Sequence, residues 1–411
     1  MRCLLRDIVA FLKRVLEENQ VTTSALRPIA ERRVGVHDVC VGAPVTMTFY
    51  AAVTPLFRSN DPSPSALPAE AGESLHKALE RVSACHSARN AERVSRMLHV
   101  LARENRLSFP MPGSGHTLGR FHAFTEIAAT DLSLGRLAEG HADAHAILHE
   151  TGRAPVSQDL YGVWAAEPPH ARVTARRHGN GWILEGRKSF ASGARILQRA
   201  LVTAKAEDGD RLFDVDLADP GIHPMLGTWP AVGMEASDSL EVTFSGVRVS
   251  DAQAIGEPGF YLQRAGFWHG AVGVAACWLG GAVGCRRMLE HRFAHVLPDD
   301  HQAAHLGFIL ATCAAMNAVL NEAAREIDAD PEDRKGGGRL RALIARQVVE
   351  SGCQKVLART GRASGTGPLV FDEAHARRAA DLPVYLRQHH AERDLAELGR
   401  LSLSKSEGKK P

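Results

Sequence analysis

Residues 182–194 read Trp-Ile-Leu-Glu-Gly-Arg-Lys-Ser-Phe-Ala-Ser-Gly-Ala. The run reads as a strand, a glycine turn, basic residues, then an aromatic followed two places later by a hydroxyl. Just before it stands His178-Gly179-Asn180-Gly181, a strong turn signal between two strand-like stretches, Ala171–Arg177 and Trp182–Lys188. Further strands are expected over 199–205, 211–216 and 239–249. In the last, Leu240, Val242 and Phe244 alternate, and Gly246 shifts the phase so that Val247 and Val249 continue the apolar face after a turn or bulge.

Helical spacing flanks this β region on both sides. Leu75, Leu79, Val82, Cys85, Ala88, Ala91, Val94, Leu98 and Leu101 recur at intervals of three and four. A loop rich in Pro and Gly follows at 110–115, and a second helix is expected over roughly 119–151, ending at Gly152. From Gly259 the chain reads as helical to about residue 401, broken at 330–338 and 361–368. Residues 60–74 read as a linker, 1–60 fit no pattern beyond an amphipathic opening helix, and 402–411 read as a flexible basic tail.

Composition narrows the function classes. The 411 residues allow two or three domains with a well-buried core, and 45% hydrophobic with 23% charged residues is ordinary for a soluble protein. A net charge of +2 offers no general surplus for phosphate, which argues against nucleic-acid binding. Seven cysteines, Cys3, Cys40, Cys85, Cys277, Cys285, Cys313 and Cys353, show no CxxC pair, which favours a reducing, cytoplasmic setting. Ala265–Cys285 lacks Asp, Glu, Lys and Arg and carries six glycines; it is expected to be a central bundle helix rather than a membrane span. No GxGxxG follows a strand, and neither GxxxxGK[ST] nor GxSxG occurs, so a Rossmann site, a P-loop and a serine-hydrolase elbow lack support.

The order of helices, small β domain and helical bundle, with the 182–194 run, resembles the acyl-CoA dehydrogenase family. The likeness covers about residues 75–400 and is spread over several patches. Phe121–Gly140 resembles the family helix beneath the substrate region. Val163-Trp164-Ala165-Ala166-Glu167-Pro168 resembles its flavin-contacting strand and turn. Gly233-Met234 through Val249, with Ile255-Gly256 and Gly259, resembles the end of the β domain and the entry to the bundle. The resemblance implies an α+β fold: an N-terminal helical domain at 75–157, a small antiparallel β-barrel or sandwich domain at 158–256, and a C-terminal four-helix bundle at 257–401. It also implies FAD between the β domain and the bundle, with the adenosine part reaching a neighbouring subunit, and hence a homodimer or homotetramer.

On that likeness Phe190 supplies an aromatic wall and Ser192 a hydroxyl donor, and Trp164 or the backbone of Ala165 and Ala166 completes the pyrimidine edge. Arg292, Gln302, Gly365 and Gly367 fall near the family's contacts to the rest of FAD. The departures are specific. Pro169-His170 follows Glu167-Pro168 where small residues and a serine are usual, and Ala166 replaces a threonine. The family's Arg and Phe fall on His291 and Ala294, with Arg292 and Phe293 one place off.

The family's chemistry, dehydrogenation of an acyl-CoA with hydride passing to flavin N5, needs a carboxylate base. One usual position follows Asp381-Leu382-Pro383-Val384-Tyr385 and falls on His389; the other falls on Gly270. His389 is a replacement by its ordinary pKa, and Glu392, three residues on, shares its face if the segment is helical. Three readings stay open: an acyl-CoA dehydrogenase with an electron-accepting flavoprotein, placed first; a flavin monooxygenase on the same fold, served by a reductase; and a degenerate, non-enzymatic homologue. His141, His145 and His149, four apart, line one helical face and are expected to be structural rather than metal ligands.

Overall fold

The computed structural model describes residues 73–83 and 90–407. The expected opening helix and most of the expected linker lie outside them. Among the described residues four helices lead: α1 (Leu75–Ser83), α2 (Asn90–Arg103), α3 (Thr117–Thr130) and α4 (Leu132–Glu150). The single helix expected over 119–151 is split at Asp131. That residue is extended, at φ −153° and ψ 125°, and its carboxylate accepts the Leu134 N–H at 3.0 Å, capping a new helix. Apolar spacing runs on across the break, which is why periodicity missed it.

An eight-stranded sheet follows, in the order β6-β7-β3-β2-β4-β5-β8, with β1 paired to β4. The strands are β1 (Tyr161–Trp164), β2 (Val173–His178), β3 (Gly181–Ala191), β4 (Arg199–Ala206), β5 (Gly209–Asp216), β6 (Ile222–Met225), β7 (Leu240–Ser250) and β8 (Ala254–Ile255). The expected hairpin joins β2 to β3, with Gly179 at φ +56° and His178 opposite Gly181. The β3–β7 ladder slips where Gly246, at φ +69°, adds a residue to β7. Most pairs are antiparallel, but β1–β4 and β2–β4 are parallel, so the sheet is mixed. β1 arrives directly from α4, which packs beside it.

The C-terminal layer comprises α5 (Phe260–Gln263), α6 (Gly266–His295), α7 (Asp300–Ala329), α8 (Gly338–Ser364), α9 (Gly367–Phe371), α10 (Glu373–Tyr385) and α11 (Glu392–Glu407). Long α6 is the hub: α3, α7, α8 and α10 all pack against it. Among the described residues two helices, α6 and α7, are long and apolar enough to cross a membrane; the apolar window of α6 is 72% buried, as a core helix requires, and that of α7 is 28% buried. Gly280 permits close approach of α3, since a Cβ there would lie 2.6 Å from the Thr125 carbonyl oxygen. α11 runs on to Glu407, past Ser402 where the tail is expected to begin.

Candidate functional site

The β3–β7 ladder also slips between Lys188 and Ala191, and the extra residue turns the Phe190 side chain out of the sheet. Phe190 adopts φ +57°, which is unfavourable for a residue with a Cβ and marks a local constraint. Its ring is 54% exposed and stands edge-on to Trp229 at 6.1 Å. A large aromatic ring left half in water on a constrained backbone is what a stacking wall for a planar guest requires.

The neighbouring residues fit that guest only in part. Ser192 is buried, and its hydroxyl pairs with that of Ser239 at 2.9 Å, which in turn meets Ser237 at 2.7 Å. Trp164 corrects its expected role: its indole is fully buried in the sheet core and donates to the Ser192 carbonyl at 3.0 Å. Its side chain therefore anchors the Phe190–Ser192 turn. Ala165 and Ala166 lie just past Trp164, where pairing with β4 stops, and Ala166 is exposed. Their backbone, rather than the indole, can offer donors to a polar ring edge.

The second group of expected residues comes together at the far end of the bundle. Arg292 Nη1 lies 3.8 Å from where a Cβ on Gly367 would stand, and Gln302 Nε2 donates to the Ala363 carbonyl at 3.2 Å. Gly365, at φ +66°, closes α8 between them. A cavity of about 430 Å³ opens here, lined by Arg287, His291, Arg292, Met288, Pro368 and Arg378 among others. A second, of about 510 Å³, shares Arg378 and Asp372 with it and reaches Arg93, Arg377 and Asp381. Neither is lined by Phe190, Ser192 or His389. The cationic end suits an anion, and the stacking wall belongs to a different part of the chain.

His389 is deeply buried in the connection between α10 and α11. Its Nδ1 accepts the Ala391 N–H at 3.1 Å, while Nε2 has no hydrogen-bond partner and lies 3.9 Å from Asp394 Oδ2. Burial, against the partial offset of Asp394, holds its pKa below the usual histidine value. Arg346 of α8 fixes the connection by donating to the Gln388 carbonyl at 2.6 Å and stacking over Trp278 at 4.6 Å. Glu392 corrects the shared-face expectation. The chain makes a turn at Leu386–Gln388 and passes through Ala391 at φ +46°, so His389 and Glu392 lie on no common helix, and Glu392 is exposed.

A carboxylate does reach the alternative position from elsewhere. A Cβ on Gly270 would lie 2.9 Å from Asp143 Oδ1, so Asp143 of α4 occupies that space while Arg264 holds it at 3.3 Å. Asp143 stands two residues from both His141 and His145, off their helical face, and nothing in its local sequence shows what it meets. His141 is structural: its Nδ1 accepts the Tyr161 N–H at 3.1 Å, joining α4 to β1, and burial drives its pKa down to about 3. Among the described residues no group of three or more His, Cys, Asp or Glu is placed to hold a metal.

No family model matches the chain. The short/branched chain specific acyl-CoA dehydrogenase of Bos taurus mitochondria is 28% identical over 200 residues, covering 44% of this chain and 46% of that protein. The chain thus spans about half the length of this curated relative. TdsC, the dibenzothiophene monooxygenase of Paenibacillus sp. A11-2, solved with FMN and indole, superposes with a TM-score of 0.67 at 20% identity, over 80% of this chain and 96% of that one. Butyryl-CoA dehydrogenase of Megasphaera elsdenii superposes with a TM-score of 0.65 at 17% identity, over 80% and 97%. The chain therefore has the acyl-CoA dehydrogenase fold, in a divergent form. That fold houses both dehydrogenases and monooxygenases, and it does not by itself choose between them.

Proposed function

We propose that this protein is a flavin-dependent oxidoreductase whose reaction is oxygenation by reduced flavin rather than dehydrogenation of an acyl thioester. Flavin binding is supported by the exposed Phe190 ring on a constrained backbone, by the unpaired turn at Ala165 and Ala166, and by FMN in the solved TdsC structure. When bound, the flavin supplies the redox chemistry. The cationic end around Arg292 takes phosphate, either the monophosphate of FMN or the diphosphate of FAD.

One observation carries the choice of reaction. In neutral His389 the Ala391 N–H occupies the Nδ1 lone pair, so the ring proton sits on Nε2. Such a ring holds a proton to donate and has no free lone pair with which to remove one. Glu392 is exposed and Gly270 has no side chain, so neither replaces the carboxylate. Oxygenation needs no carboxylate base and is compatible with a buried single-proton donor. A dehydrogenase reading keeps one support, Asp143 beside Gly270, but that carboxylate is already paired with Arg264.

The assembly we infer is a two-fold homo-oligomer in a reducing cytoplasm. The apolar residues left exposed at Phe308 on α7 and Phe371 on α9 are compatible with it. The test of the reaction is reductive. Enzyme-bound flavin that is bleached by a reductase with NADH, and then yields an oxygenated product in air, supports the reading. Flavin bleached instead by an acyl-CoA, without reductase, overturns it.

A further inference from the structure

We propose that Lys188 is a positioning residue that locks the two backbone segments of the flavin edge to each other. This rests on the flavin reading above. Lys188 is fully buried within the sheet, on β3, immediately before the bulge that carries Phe190. Its Nζ donates to Thr203 Oγ1 at 2.8 Å and to Glu167 Oε1 at 3.4 Å. Thr203, on β4, donates to the same Glu167 oxygen at 3.0 Å. Glu167 directly follows Ala165 and Ala166.

The three groups therefore form a closed triangle at the base of the candidate edge. One corner precedes the aromatic wall, one follows the Ala165–Ala166 turn, and the third lies on the strand that pairs with β1. An ammonium out of water must find a counter-charge and hydrogen bonds, so the lysine dictates where the Glu167 carboxylate sits. Fixing Glu167 fixes the turn before it. The second cation near Glu167, Arg172, is half exposed and 4.0 Å away, too loose to set that geometry. Burial lowers the Lys188 pKa to about 8, as expected for an amine held in a dry site.

Trp164 and Lys188 thus support the edge from below in different ways, the indole by holding the Ser192 carbonyl and the ammonium by holding the Glu167 side chain. A structural lysine alone would matter only for folding. A positioning lysine also affects affinity for the tricyclic ring, whatever tail the ring carries.

The experiment is a titration of flavin-free protein with riboflavin, FMN and FAD, followed by flavin fluorescence, alongside thermal melting of the same samples. Lys188→Met should weaken all three flavins by the same factor, about tenfold or more, the effect of losing one well-placed hydrogen bond. Thr203→Val, which keeps both charges, should weaken all three by a smaller common factor and guards against a Lys188→Met chain that does not fold. Lys188→Met combined with Glu167→Gln should bind no worse than the weaker single variant, because the two act through one contact. Unchanged affinity in a folded Lys188→Met or Thr203→Val variant overturns the inference while leaving flavin binding intact. Wild-type protein that binds none of the three overturns the flavin reading itself.

Discussion

Asp381 Oδ1 accepts the backbone N–H of Met234 at 2.6 Å, joining α10 to the loop between β6 and β7 across 147 residues of sequence. Met234 sits at φ +59°, and its loop carries Trp229, the ring that meets Phe190. The bundle and the candidate wall are thus coupled through one buried carboxyl. Burial raises its pKa from 3.8 to about 7, against the partial offset of the Met234 N–H.

The sign of the pH effect follows. A carboxyl whose pKa is higher folded than unfolded binds more protons in the native state between pH 3.8 and about 7. Its contribution to stability is full below that window and is lost as pH rises through it. Asp381→Asn keeps an acceptor for Met234 and removes the titration. At pH 8 the variant should be more stable than the parent by on the order of 1–4 kcal/mol, with the gap closing by pH 4. Urea melts at the two pH values measure this; a variant less stable at pH 8 would show that the ionised carboxylate is favourable where it sits.

Phe190→Ala tests the wall without disturbing the core. The ring is more than half exposed, so stability should move by no more than about 0.5 kcal/mol. Flavin affinity should fall about tenfold, the scale of one lost aromatic stack. Melting temperature and fluorescence titration on the same preparation separate the two effects.

His389→Ala should lower turnover by about a hundredfold or more, while His389→Gln, which keeps an N–H, should recover part of it. Because burial keeps the ring neutral at neutral pH, activity should hold as pH rises and fail only on the acid side, where protonating Nδ1 displaces the Ala391 N–H. Unchanged turnover in a folded His389→Ala variant, or a rate that stays flat through the acid range, would remove the ring from the mechanism.

Arg292→Ala tests whether the cationic end holds the phosphates of FAD. If the cationic end binds the adenosine diphosphate portion of FAD, the variant should lose about tenfold in FAD affinity and keep its riboflavin affinity. Equal affinity for FAD in parent and variant, measured by the same titration, would assign that cavity to something else.

Much of this arrangement is legible in the residues alone. Period-two alternation around Gly179-Asn180 marks a hairpin and the phase change at Gly246 a turn or bulge, and a hairpin and a bulge form there. The charge-free run of α6 suits a core or a span, and its burial matches the core reading. Other features leave no local trace. Ala391 takes a positive φ that nothing in its own chemistry favours, so the separation of His389 from Glu392 emerges only once the chain is folded. Lys188 lies in a strand where charged residues ordinarily face water, and only its long-range partners Thr203 and Glu167 explain why it is buried. Trp164 carries the same signal whether it walls a cofactor or fills a core, and tertiary packing decides for the core.

The most direct measurement is equilibrium titration of the purified, flavin-free chain with FMN and FAD, read by quenching of flavin fluorescence. The account predicts saturable binding of at least one of the two, weakened in the Phe190→Ala variant. Fluorescence that stays that of free flavin throughout, with the protein shown to be folded, would contradict it.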